Sequence, residues 1–210
     1  MFEENIVTTE DEALRFISKF GFVTLFPIKG FIFPNLYQAM ATENETERFE
    51  TMWQWADDLA EKKKIHYGKL IRKQVTLISL EMFPCFYKLC RKRKLGETAR
   101  KILYLLKRKG TMSTTLLKKN LRLTGKAKKY EFMKSIDELQ MAFLVAIVGR
   151  EKSPRMTYSY DLIERWMPRE LWKKAEDLDE SRAKRRIEAK LLENEVFSGR
   201  EGVETFLKKL

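Results

Sequence analysis

Acid–base chemistry is the first use the residue types suggest, because Asp57 and Asp58 stand beside Trp53 and Trp55. A carboxyl group pressed against an aromatic wall has a raised pKa and can donate or take up a proton near neutrality. Carboxylate pairs of this kind serve far more often as helix caps or ion-pair partners. His66 is the one histidine of the chain and falls on a strand pattern, where a lone imidazole is more often a polar face residue than a catalyst. Cys85 and Cys90, with that single histidine, supply too few ligands for a zinc site and read as reduced thiols. No catalytic residue and no metal or cofactor is expected.

The second kind of chemistry is phosphate neutralisation. From Arg91 to Ser135, sixteen lysines and arginines face two carboxylates, Glu97 and Glu131, while the whole chain carries a net charge of only +12. The cationic excess therefore lies in this stretch, and the remainder is close to neutral. A concentrated basic field is what counterion release at a polyanion requires. A charge run is also commonly just a solvated face.

The elements around this field decide how it can be presented. Apolar Ile102, Leu103, Leu105 and Leu106 recur at helical spacing from Glu97 to Lys109, and Gly110 supplies a stop. Ser113 or Thr114 can cap a short second helix through Asn120, Leu123–Thr124–Gly125 forms a turn, and Lys126 opens a third helix lined by Phe132, Ile136 and Leu139. The period then becomes that of strands: Phe143 to Val148, a polar turn from Gly149 to Arg155, and Met156 to Tyr160. This order predicts a winged helix, a helix-turn-helix followed by a hairpin wing.

In that geometry the third helix enters the major groove and flanking elements touch phosphate. The expected DNA-binding residues are Lys118, Lys119, Arg122, Lys126, Lys128, Lys129 and Lys134 on the helices, with Arg150, Lys152 and Arg155 on the wing. The competing reading is that these side chains keep an interaction module soluble, since winged helices also dock proteins.

Upstream, Thr8 or Thr9 can cap a helix from Glu10 to Phe20 ended by Gly21, and Phe22–Phe26 reads as a buried strand. Phe33–Met40 reads as a short helix, Ala41–Glu50 as an exposed acidic loop, and Thr51–Lys62 as a short helix or turn. Ile65–Leu70 and Val75–Leu80 form a hairpin, and Glu81–Leu89 a short helix joined to the basic module by Arg91–Lys94. Downstream come Asp161 as a cap, a helix opened by Pro168, a long helix from Ser181 to Glu195 with an Ile187–Leu191–Leu192 stripe, and a last short helix from Gly199 to Leu210.

The fold class expected is therefore α+β. Residues 1–90 form an α+β, winged-helix-like domain, residues 95–160 the winged helix, and residues 161–210 a helical extension able to pair with a second copy. A content of 44% hydrophobic residues can bury a sizeable core, and no internal repeat is legible. No apolar run spans a membrane and Met1–Glu4 lacks a basic secretory start, so a cytoplasmic protein with no membrane partner is expected.

Glu12–Ala13–Leu14–Arg15–Phe16–Ile17 leading into Gly21–Phe22–Val23–Thr24–Leu25–Phe26–Pro27 is similar to the start of a known family. Trp53–Gln54–Trp55, Tyr67–Gly68–Lys69, Thr76–Leu80 and Tyr160–Pro168 continue the likeness. On these residues the chain resembles, over most of its length, the AlkZ and YcaQ winged-helix DNA glycosylases that unhook interstrand crosslinks, and more closely their AlkZ-related branch. The resemblance implies a concave DNA-binding surface built from several winged helices. It also implies a Gln-x-Gln or Gln-x-Asp motif on an early strand that positions water against the sugar. Placed by the preceding glycine and aromatic residue, that motif falls at Thr24–Leu25–Phe26, so both polar side chains are missing. Asp57, Asp58, Glu81 and His66 are the groups from which a substitute would have to come.

Three functions are consistent with these residues: a DNA-binding protein for duplex or damaged DNA that need not cleave anything; a divergent glycosylase acting on alkylated or crosslinked bases; and a winged-helix module for protein docking or dimerisation.

Overall fold

The computed structural model describes residues 6–29, 33–71, 73–91, 94–123, 125–151, 157–194, 196 and 200–207. Helix α1, Glu10–Phe20, begins at a reciprocal cap in which Thr9 accepts the Glu12 N–H and the Glu12 carboxylate accepts the Thr8 N–H at 2.8 Å. Its stripe of Ala13, Phe16, Ile17 and Phe20 is buried, and Gly21 ends it at φ 77°, a conformation glycine adopts without Cβ strain. Strand β1 (Phe22–Thr24), helix α2 (Leu36–Ala39), helix α3 (Glu45–Glu61), and strands β2 (Ile65–Ile71) and β3 (Gln74–Ser79) follow. They form an antiparallel sheet of order β1-β3-β2. Helix α4, Phe83–Cys90, closes this half.

The same order of elements then recurs. Helix α5 (Glu97–Lys109) stops at Gly110, φ 82°, and is followed by β4 (Met112–Ser113), α6 (Thr114–Asn120), α7 (Lys126–Met141), β5 (Val145–Glu151) and β6 (Thr157–Leu162). Their sheet has the order β4-β6-β5, so the last strand is central in both halves. Helices α8 (Ile163–Trp166), α9 (Arg169–Glu176), α10 (Glu180–Glu193) and α11 (Arg200–Leu207) complete the chain. The mixed α and β composition with antiparallel sheets agrees with the class expected. The repeat escapes the sequence because it resides in the order of elements and not in residue identities.

Strand register fixes which positions correspond. Lys69 lies opposite Val75, one pair beyond Gly68 opposite Thr76; Arg150 lies opposite Tyr158, one pair beyond Gly149 opposite Ser159. Both third helices end at a left-handed non-glycine residue, Lys63 at φ 54° and Phe143 at φ 51°. Counted from these, Asp57 corresponds to Asp137, Trp53 to Met133 and Phe49 to Lys129.

Each half is small, and both buried clusters draw on both halves. One joins Phe16, Met52 and Ile65 to Ile102, Phe132 and Ile147; the other joins Phe22, Phe83 and Phe86 to Phe143, Ala146 and Trp166. Helix α10 contributes Ala183, Ile187 and Leu191 to the second cluster and packs along α4. The stripe expected to pair with a second copy is therefore largely spent inside the chain, leaving Leu192 37% exposed.

Three local expectations change. The acidic stretch Ala41–Glu50 is not wholly loop: Asn44 accepts the Thr46 and Glu47 N–H groups, and α3 starts at Glu45 with acidic residues at its favourable positive end. Asp161 does not cap α8 in the ordinary way but accepts the Leu162 N–H and pairs with Arg165. Helix α10 is capped by Asp179, whose carboxylate accepts the Arg182 N–H at 2.7 Å.

His66 is not a surface strand residue. It is 1% exposed, boxed by the rings of Phe83, Phe143 and Trp166 at centroid distances of 5.2, 5.2 and 5.3 Å. Burial pushes its pKa from 6.5 down to about 3, so the folded chain holds it neutral. A folded-state pKa below the unfolded value gives stability that is complete above about pH 6.5 and drains at ~1.4 kcal/mol per pH unit as acid approaches pH 3. At about pH 4.5, His66→Leu is therefore expected to lose about 2–3 kcal/mol less of its neutral-pH stability than the native chain does. Urea unfolding at the two pH values measures this, and equal acid losses would refute it.

Candidate nucleic-acid interface

Helix α7 packs from Phe132 onward. Phe132, Ser135, Ile136, Leu139 and Gln140 are buried, while Lys126, Lys128, Lys129, Tyr130, Met133 and Lys134 are exposed. Its amino end at Gly125 has no side-chain cap, so the positive end of the helix dipole lies beside the lysines. Lys119 and Arg122 are exposed in the preceding helix and turn. Among the described residues, Lys119, Lys126, Lys129 and Lys134 make no ion pair or side-chain hydrogen bond. Lys128 donates to the Arg122 carbonyl at 3.4 Å. Lys118 lies over the Phe132 ring at 5.0 Å, and its pKa is lowered by partial burial and then by the nearby Lys129 charge. Seven of the ten expected contact residues thus fall on α6, α7 and the turn between them.

Arg150 goes elsewhere. Its guanidinium donates to Asp57 Oδ2 at 2.5 Å, the two side chains being 19% and 12% exposed. Asp57 Oδ1 accepts the Tyr67 hydroxyl, which also bonds to Tyr158. Burial and then the Asp57 charge raise the pKa of both phenols, so they remain protonated donors at neutral pH. Asp57 is thus an ion-pair partner, not a general base open to solvent. Lys152 and Arg155 lie outside the described residues.

The corresponding pair occurs on the other side of the contact. Asp137 of α7 meets Lys69 of β2 at 3.3 Å, and Gln140 accepts the Lys69 N–H at 2.8 Å. Each third helix is therefore held against the hairpin of the other half by a carboxylate–cation pair at equivalent positions. Neither pair is legible in the sequence, because the partners are 93 and 68 residues apart.

Between the halves lies a cavity of about 100 Å³ lined by Trp53, Tyr67, Met133, Ile136, Tyr158 and Tyr160, among others. Trp53 continues outward into an aromatic patch: its ring is 6.3 Å from Phe49 and 6.4 Å from Phe26, and Phe26 is 5.8 Å from Tyr37. The Arg48 guanidinium sits over Tyr37 at 5.0 Å. Glu43, Glu45, Glu47 and Glu50 in the same stretch of chain are exposed, so the start of α3 is acidic where that of α7 is basic.

A match to the model of a known protein family, described as AlkZ related, spans residues 7–206. The chain belongs to the AlkZ-related family. No curated protein and no solved structure matches it significantly. Within the AlkZ-related chain, Thr24 is fully buried, and its hydroxyl donates to the Phe26 carbonyl at 2.7 Å. Phe26 belongs to the aromatic patch. Of the other candidate groups, Glu81 pairs with Arg186 at 3.2 Å, Asp57 pairs with Arg150, Asp58 is half-buried on α3, and His66 is buried. Cys85 and Cys90 are buried thiols on α4, and no cluster of three metal-ligating side chains occurs among the described residues. No described helix is long and apolar enough to cross a membrane.

Arg150→Met would leave the Asp57 carboxylate enclosed without its cation, an expected loss of about 3 kcal/mol. Lys69→Met, at a side chain 36% exposed, is expected to cost under about 1 kcal/mol. Adding Asp57→Asn to Arg150→Met should recover part of the larger loss. Chemical unfolding of the native chain, these three variants and Asp57→Asn alone gives the values; additive losses in the double variant, or a larger loss at Lys69, would contradict this account.

Proposed function

We propose that this AlkZ-related protein is a DNA-binding protein made of two winged helices, of which the second carries the duplex-facing surface. The helix, strand, helix, helix, strand, strand order with the last strand central supports a winged-helix reading of each half. The observation that carries the functional reading is α7, on which Lys126, Lys128, Lys129 and Lys134 are all exposed, with Lys119 and Arg122 exposed in the preceding helix and turn. Leaving this many ammonium groups crowded and unpaired raises the energy of the free protein, and a polyanion relieves it by displacing condensed counterions. Contacts of this kind fix position on the backbone and carry no sequence readout.

Hydrolysis by the route of the active glycosylases requires a group that orients water or stabilises a developing sugar cation. With Thr24 buried and Phe26 in an aromatic cluster, the chain offers none at that place. Binding without base removal is the function favoured. Family membership sustains a second reading, a glycosylase of alkylated or crosslinked bases with another catalytic group.

Fluorescence anisotropy against a labelled duplex, plain and alkylated, over a salt series tests both. Affinity should fall steeply with salt. The triple variant Lys126→Glu, Lys128→Glu, Lys129→Glu should weaken binding by at least about tenfold for every sequence, with its unfolding midpoint nearly unchanged. Unchanged affinity would mean that another face binds. Strand breaks on the alkylated duplex after heating in base would restore the enzyme.

A further inference from the structure

The lysines of α7 frame side chains of a different kind. Tyr130 is 72% exposed and Met133, one turn later on the same face, is 37% exposed. Met133 and Trp53, one from each half, both line the cavity between the halves, and Trp53 leads to Phe49, itself 48% exposed. Tyr130 and Met133 on one half and Trp53 on the other thus supply apolar surface to both sides of the contact, next to the exposed lysines of α7. Exposed apolar residues scattered singly need no explanation, but a connected set rimmed by charge marks a contact surface.

We infer that this surface is a stacking platform for unpaired nucleobases. Resting on the DNA-binding reading above, the inference adds that DNA with unpaired bases is preferred to perfect duplex. The chemistry of the walls selects the ligand. The polar groups at the cavity are already engaged: Lys69 with Asp137, the Gln140 amide oxygen with the Lys69 N–H, and Tyr67 with Asp57. What remains is flat or polarizable surface from Trp53, Met133 and Tyr158, which accepts the face of any base without reading its edge. A paired base keeps its faces stacked in the duplex and cannot reach such a surface. The lysines at 126, 129 and 134 supply the charge complementarity for the phosphates on either side of the displaced base.

The test compares a perfect duplex with the same duplex bearing bulged bases, one of them 2-aminopurine, against the full chain. The native protein should bind the bulged DNA about tenfold more tightly, with a change in 2-aminopurine emission on binding. Tyr130→Ala, at an exposed position that leaves the core untouched, and Trp53→Leu should each bring the preference to within about twofold. Equal, salt-sensitive affinity of the native chain for both DNAs would overturn the platform and leave the DNA-binding reading standing. A preference that persists in both variants would overturn it as well. Absence of binding to either DNA would remove the DNA-binding reading, and this inference with it.

Discussion

Everything outward-facing in this molecule depends on how its two halves are clamped. Each third helix lies on the other half's hairpin, and the contact carries Asp57 with Arg150 on one side and Asp137 with Lys69 on the other. A three-stranded sheet with a few helices has little interior of its own, so the two halves share both buried clusters. The ion pairs add direction to that apolar contact. A carboxylate that is 12% exposed and held by a guanidinium and a phenol tolerates little sliding, since any displacement leaves a charge unsatisfied in a poorly hydrated place.

Clamping also divides α3 and α7 each into two parts. Their carboxyl-terminal turns are committed to the contact, and their amino-terminal turns stand clear of it. These free turns, occupying equivalent places, differ in their prevailing charge, although Arg48 corresponds to Lys128. In α7 they bear Lys126, Lys128 and Lys129; in α3 they bear Glu45, Glu47 and Glu50. Lys129 corresponds to Phe49, and Met133 to Trp53. The scaffold is repeated, and the chemistry displayed on it is not.

Much of this is legible in the sequence. Gly21 and Gly110 mark helix ends, Ser113 caps α6, and the alternation in Ile65–Leu70 and Val75–Leu80 identifies a hairpin, because each depends on neighbours in sequence. The second basic helix was visible for the same reason: its lysines are consecutive or one turn apart. What failed to show were pairings between distant residues. Arg150 looked like a wing residue aimed at phosphate, and only the fold brings Asp57 to it. Asp57 looked like a candidate acid until Arg150 arrived. His66 sat on a strand whose burial depends on Phe83, Phe143 and Trp166 from three other segments. The stripe of α10 leaves packing on the core, pairing with a second copy and contact with DNA all open in the sequence, because nothing local announces that α4 will cover it. Tyr130 and Met133 give no signal in the sequence, since a tyrosine among lysines means nothing until its exposure is known.

The repetition of one element order within a single covalent chain has a further consequence. Two identical subunits joined by a dyad must present the same surface twice, which suits a partner that has a dyad of its own, such as a palindromic duplex. Fusion lifts that obligation. With a cationic helix on one flank and an acidic, aromatic one on the other, this molecule has a head and a tail. Any extended partner laid across it would meet two different chemistries, one at each flank, which no symmetric dimer of the same fold can present.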